Sequence, residues 1–185
     1  MKYLNGTAES PPDTVAAALH AALMLPDASF VVFRRGFLVE FKTDRLTERL
    51  SLYGEGDHRS WQIGAFEDHH CHPDLSAVRQ ILFDAEPVSC QKGRINYTVW
   101  FLGSGDCGNP YRPDGLFSVT LNCPYDADGR PRRHIIDAVF ALFERVRGWP
   151  RVEASPRFLA QLGQRNATSD ARRREFENAE GAIHE

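Results

Sequence analysis

Between Phe30 and Cys123 one short β-prone run follows another, broken by Gly, Pro or Asp, and no intervening stretch has helical length and spacing. The runs are Phe30–Phe33, Phe37–Phe41, Leu50–Tyr53, Trp61–Phe66, a His-rich run ending at Asp74, Val78–Phe83, Ile95–Leu102 and Leu116–Cys123. Parallel neighbours need a crossover of a dozen or more residues, usually a helix, and these spacings leave no room for one. The strands must therefore pair mainly antiparallel, with Arg34-Arg35-Gly36 as a tight turn between the first two. In the seventh run Ile95, Tyr97, Val99 and Phe101 alternate with Asn96, Thr98, Trp100 and Leu102, so large apolar groups fall on both faces. That pattern predicts a central strand.

Helical spacing occurs at either end of this β-rich stretch. Ser10-Pro11-Pro12-Asp13 carries helix-start signals, and Val15, Ala18, Leu19, Ala22 and Leu23 then repeat on one face, predicting a helix to about Met24. After Asp126-Ala127-Asp128-Gly129, Pro131 opens a second helix. Its stripe of Ile135, Ile136, Val139, Leu142, Phe143 and Val146 ends at Gly148 and Pro150 and should cover one sheet face. The expected fold class is α+β: a curved, mainly antiparallel sheet of seven to nine strands with an N-terminal helix and a C-terminal covering helix. Residues 1–150 are read as one domain. Residues 151–185, rich in Arg and acids, are read as a short docked helix at 156–162 followed by a mobile charged tail.

With 185 residues and 42% apolar content, the chain can bury roughly 70% of its unfolded surface and needs no metal or disulfide staple. Its 22 basic and 25 acidic residues give a net charge of -3, without the basic excess that nucleic-acid binding needs. No apolar stretch is long enough to span a membrane, and the first residues lack an export-signal pattern. The expected location is cytoplasmic, with the four cysteines as reduced thiols. Gly-x-Ser-x-Gly, phosphate-loop and GxGxxG patterns are absent, so acyl and phosphoryl transfer have no support and no catalytic residue is assigned.

The densest group of ligand-type residues is Glu67-Asp68-His69-His70-Cys71-His72-Pro73-Asp74. On an extended backbone His70 and His72 share one face while His69 and Cys71 point the other way. Two imidazoles at i and i+2 suit a transition metal or an iron porphyrin, yet a closed zinc site needs four ligands and no CxxC or HxxxH pair supplies them. Three readings stay open: a polar segment beside a pocket, an axial haem ligand, or a small metal-dependent enzyme with Asp74 or Glu67 as ligand or base. Cys123-Pro124 matches a short pattern of thiolate haem sites and equally suits a buried thiol at a strand end. The loop 104–114 is longer than a hairpin requires, so Tyr111 and Arg112 are candidate ligand contacts. Arg34 and Arg35 suit a carboxylate as well as a solvated turn.

The order of these features resembles the cytosolic haem-utilisation proteins of the HemS, ChuX and HutX type across about residues 13–146. The Val15–His20 helix with Phe30-Val31-Val32-Phe33-Arg34-Arg35-Gly36 and Leu38–Phe41 is similar to the helix and first hairpin of one family repeat. Trp61-Gln62-Ile63, the His-bearing run to Asp74, Ile81–Val88 and Gly93–Phe101 follow in the family's order. Two departures stand out: the 104–114 loop is an insertion, and Glu86-Pro87 takes the place of a typical Lys-Pro. The resemblance implies a homodimer and haem binding between sheet and helices by a non-catalytic intracellular carrier. Haem needs an apolar slot, an axial ligand and cations near its propionates. For these roles the candidates are His70 or His72 for iron, Arg34 or Arg35 for a propionate, Tyr111 as second-choice ligand, and Arg112 beside it. The alternatives are a dimeric protein that keeps the fold without haem, and a metal-dependent enzyme built on His69–His72.

Overall fold

The computed structural model describes residues 14–34, 36–46, 49–53, 60–65, 70–89, 91–122 and 124–181. The long strand at Ile95–Leu102 lies inside a six-stranded sheet, as its two apolar faces require. In chain order the elements are α1 (Thr14–Leu23), β1 (Ala28–Arg34), β2 (Phe37–Lys42), β3 (Ser51–Tyr53), β4 (Ser60–Gln62), β5 (Gln80–Pro87), β6 (Ile95–Leu102), β7 (Gly115–Leu121), α2 (Arg133–Val146), β8 (Val152–Ala154) and α3 (Pro156–Gly181). The sheet order is β2-β1-β7-β6-β5-β8, and β3 and β4 form a separate two-stranded ribbon. All neighbours are antiparallel except β5 and β8. The sequence-based expectation of seven to nine strands in one sheet becomes six plus two, because the β3–β4 pair splits off. The proposed start signals at Ser10–Asp13 lie outside the described residues.

The parallel exception follows the same rule that makes the rest antiparallel. From β7 the chain runs through the 14-residue α2 before entering β8, and that helix is the crossover a parallel strand needs. Here β8 adds only three residues to the sheet edge, so it reads as tail in the sequence.

Alternation sorts the sheet's side chains into two layers. Phe30, Phe83, Val99, Phe101, Phe117 and Val119 face the helices in one core, while Leu82, Trp100 and Leu102 cluster on the opposite face. The helix side is dense in rings: Phe101 stacks on Phe117 with centroids 4.9 Å apart, and Tyr97 meets Phe140 of α2 edge-on at 5.6 Å. Helix α1 contributes Val15, Ala16, Ala18, Leu19, Ala22 and Leu23, all buried, and its alanines allow close approach to its neighbours. Helix α3 begins where Ser155 Oγ accepts a hydrogen bond from the Phe158 N–H, and it docks through Phe158 and Leu162. It runs on to Gly181 rather than ending near 162 as expected. Among the described residues no helix is long and apolar enough to cross a membrane.

Candidate functional site

The hairpin of β1 and β2 forms the floor of a cavity that gathers several candidate residues. Phe30, Val32 and Arg34 project to the helix side of β1, and the register sets Val39 opposite Val32 and Phe37 opposite Arg34. The two-residue connection between them includes Gly36 at φ 96, a conformation glycine adopts without steric cost. Arg35, the other residue of that turn, lies outside the described residues.

A β-bulge widens this floor. Phe101 pairs with Phe117 and Leu102 with Gly115, so Leu116 is an extra residue in β7. Simple alternation would send Leu116 and Phe117 to opposite faces, yet both line the same cavity, which is the re-aiming a bulge produces. The carbonyl of Leu116 accepts from Arg34 Nη1 at 3.0 Å, and the same nitrogen donates to the Phe33 carbonyl at 2.9 Å. Two main-chain bonds thus hold the guanidinium at the cavity wall. Among the described residues no acceptor is bonded to its Nε or Nη2, so both remain available to an anion.

The opposite wall is the His segment. Its backbone is not the strand predicted from the sequence: a single bridge joins Cys71 to Ile63, through N–H···O bonds of 2.9 and 3.0 Å, and residues 72–74 run on without pairing. Cys71, His72, Pro73 and Asp74 all border the cavity. The His70 and His72 rings meet edge-on with centroids 5.3 Å apart, as neighbours at i and i+2, but only His72 lines the cavity. His72 Nδ1 lies 3.2 Å from Ser60 Oγ. Desolvation raises the Cys71 thiol to about 11, so near neutral pH it is a protonated thiol. The Ser76 hydroxyl, bonded at 2.6 Å, holds the Asp74 carboxyl below its usual range and keeps it charged at the rim.

The resulting cavity is about 340 Å³, with an apolar floor of Phe30, Val32, Phe37, Val39, Leu116 and Phe117. That is near the low end of the roughly 300–1,000 Å³ typical of ligand pockets. Its chemistry is an apolar slot carrying one imidazole, one guanidinium and one carboxylate on the walls. Such a set can bind a flat apolar ring with an acidic edge.

Tyr111 and Arg112 belong to the other face of the sheet. The Arg112 guanidinium sits 5.9 Å from the Trp100 ring and 3.1 Å from Asp84 Oδ2, and the Tyr111 ring meets Phe33 edge-on at 4.7 Å. Asn109 Oδ1 shapes the loop by accepting from the Tyr111 and Arg112 N–H groups. The 104–114 loop is therefore a flap over Trp100, and its two candidate contacts stand apart from His72 and Arg34. Cys123, Glu67, Asp68 and His69 lie outside the described residues. Among the described residues no three His, Cys, Asp or Glu side chains gather closely enough to hold a metal ion.

Sequence reasoning missed Ser60 and the apolar floor. Phe37 and Val39 were legible as alternate residues of one strand, but nothing in the Gly115-Leu116-Phe117 string marks a bulge.

Comparison with solved structures finds the same architecture elsewhere. The chain matches the crystal structure of ChuX with a TM-score of 0.53 and 12% identity, over 75% of each chain. It also matches protein AGR_C_4470 from Agrobacterium tumefaciens with a TM-score of 0.48 and 16% identity, over 76% of this chain and 69% of the other. No protein family and no curated protein matches the sequence. At such low identity the likeness to ChuX establishes a shared fold and leaves function to the site.

Proposed function

We propose that this protein is an intracellular, non-catalytic haem carrier that binds the porphyrin at the cavity between the β1–β2 hairpin and the His72 segment. The observation that carries the reading is that residues 38 positions apart, Arg34 and His72, meet across one apolar floor. The ChuX-like fold supports it at the level of architecture.

The residues fit the group. Val32, Phe37, Val39 and Leu116, backed by the buried rings of Phe30 and Phe117, offer a face that would exclude water from a porphyrin ring. His72 would hold the iron through its imidazole, and Arg34 would offer N–H donors to a propionate. When bound, the group would supply an iron centre whose reactivity the protein's ligand tunes. His70, packed edge-on against His72, would steady its ring. At about 340 Å³ the cavity would take only part of the group, and a second copy of the chain against it is part of the same proposal.

Hemin titration tests this. Binding should saturate at one equivalent with a shifted Soret band. His72→Ala should change the band position, and Arg34→Ala should weaken affinity while leaving the band in place. A spectrum that remains that of free hemin throughout rejects the proposal and leaves a ChuX-like protein that has no haem site.

A further inference from the structure

We infer that Ser60 is a positioning residue for His72, accepting a hydrogen bond from Nδ1–H so that Nε2 keeps its lone pair for the cavity; this rests on the haem reading of the site. Ser60 opens β4, and the two main-chain bonds between Ile63 and Cys71 fasten the His segment alongside the continuation of that strand. This brings Oγ within 3.2 Å of Nδ1 although the residues are 12 positions apart. A hydroxyl both donates and accepts, so the pair admits two states. If Ser60 donates, Nε2 carries the ring proton and cannot ligate. If Nδ1–H donates, Nε2 is the free base.

Coordination at Nε2 therefore selects the second state, and Ser60 supplies the partner that metal-binding imidazoles ordinarily have on their other nitrogen. Among the described residues Ser60 Oγ is the only hydrogen-bond partner of Nδ1. The His70 ring packs edge-on against the same imidazole and limits its rotation. Ser60 thus supplies the acceptor that the coordinating tautomer needs, while His70 packs against the ring.

The experiment compares wild type, Ser60→Ala and Ser60→Thr by two measurements. The first is the ¹⁵N spectrum of the ligand-free protein at about pH 9, above the range in which a histidine is charged, which reports the population of the Nδ1–H tautomer of His72. The second is hemin titration. Ser60→Ala should shift the His72 ring-nitrogen signals and weaken hemin binding roughly 10-fold, the smaller end of outer-partner effects because the pair is exposed. Ser60→Thr, which keeps the hydroxyl on a strand residue, should restore both. If Ser60→Ala leaves the His72 nitrogens and the hemin affinity unchanged, the inference is overturned. If wild type does not bind hemin, the haem reading falls, and the ligand-free spectra alone decide whether Ser60 holds His72.

Discussion

Replacing Phe158 by Ala should detach the start of α3 from the sheet and lower stability far more than the same truncation one residue later. Phe158 is 0% exposed and sits among three rings, those of Phe83, Phe140 and Phe143, at centroid distances of 5.7, 5.1 and 5.3 Å. Two of those rings belong to α2 and one to β5, so the side chain ties three elements together. Removing a buried Phe costs about 3–5 kcal/mol, from lost apolar transfer and the cavity left behind. For a domain of this size that lowers the melting temperature by roughly 6–20 °C. Leu159 is 48% exposed on the same helix turn, and Leu159→Ala should cost within about 0.5 kcal/mol. Both variants gain helix propensity on going to Ala, by a few tenths of a kcal/mol at most, so their difference reads mainly packing. Thermal melts followed by near- and far-ultraviolet circular dichroism measure it. Equal shifts for the two variants would refute the docked arrangement of α3.

Gly115→Ala should destabilise by about 1–3 kcal/mol in urea unfolding, because a Cβ there meets Asn109 Nδ2 at 2.8 Å, the Arg112 carbonyl at 3.0 Å and the Trp100 ring at 3.2 Å. Arg112→Ala leaves Asp84, whose side chain is 8% exposed, without its cation. With Arg112 itself a quarter exposed, the cost should be about 1–2 kcal/mol, below that of a fully buried pair, while hemin affinity stays unchanged because the pair lies on the other sheet face. Arg34→Ala should do the reverse, weakening hemin binding several-fold with little loss of stability, as isothermal titration and melting together would show. Peptide-resolved alkylation should find Cys71 slow. With its thiol near 11 rather than 9.0, the thiolate fraction at about pH 8 falls roughly 100-fold relative to the unfolded chain, and the rate should climb tenfold per pH unit until pH approaches 11. A rate that levels off near pH 9 would contradict the burial of Cys71.

Much of the fold was legible because it rests on local alternation and punctuation. The two-faced pattern of Ile95–Leu102 fixed an interior strand, Arg34-Arg35-Gly36 marked the hairpin, and the stripe from Ile135 to Val146 marked the covering helix. What stayed hidden depends on long-range partners. The three residues of β8 become a strand only because β5 offers an open edge, and the helical run past Leu162 has too few apolar groups for periodicity to reveal it. At the site, His72 and Arg34 were nameable as residue types, but their meeting across the hairpin required the fold. Tyr111 and Arg112 looked equivalent to them in sequence, and only the path of the 104–114 loop sends them to the opposite face. Ser60 carried no signal at all, since a serine at a strand start is unremarkable until a histidine is folded beside it.

The location of the porphyrin is the point on which the functional reading turns, and ring-current shifts locate it directly. Adding zinc protoporphyrin to protein with labelled Val and Leu methyl groups should displace the signals of Val32, Val39 and Leu116, the methyl-bearing floor of the cavity. Leu82 and Leu102, clustered with Trp100 on the far side of the sheet, should stay within their ligand-free positions. Shifts centred on Leu82 and Leu102, or no shifts in either group at saturating ligand, would contradict binding at the Arg34–His72 cavity.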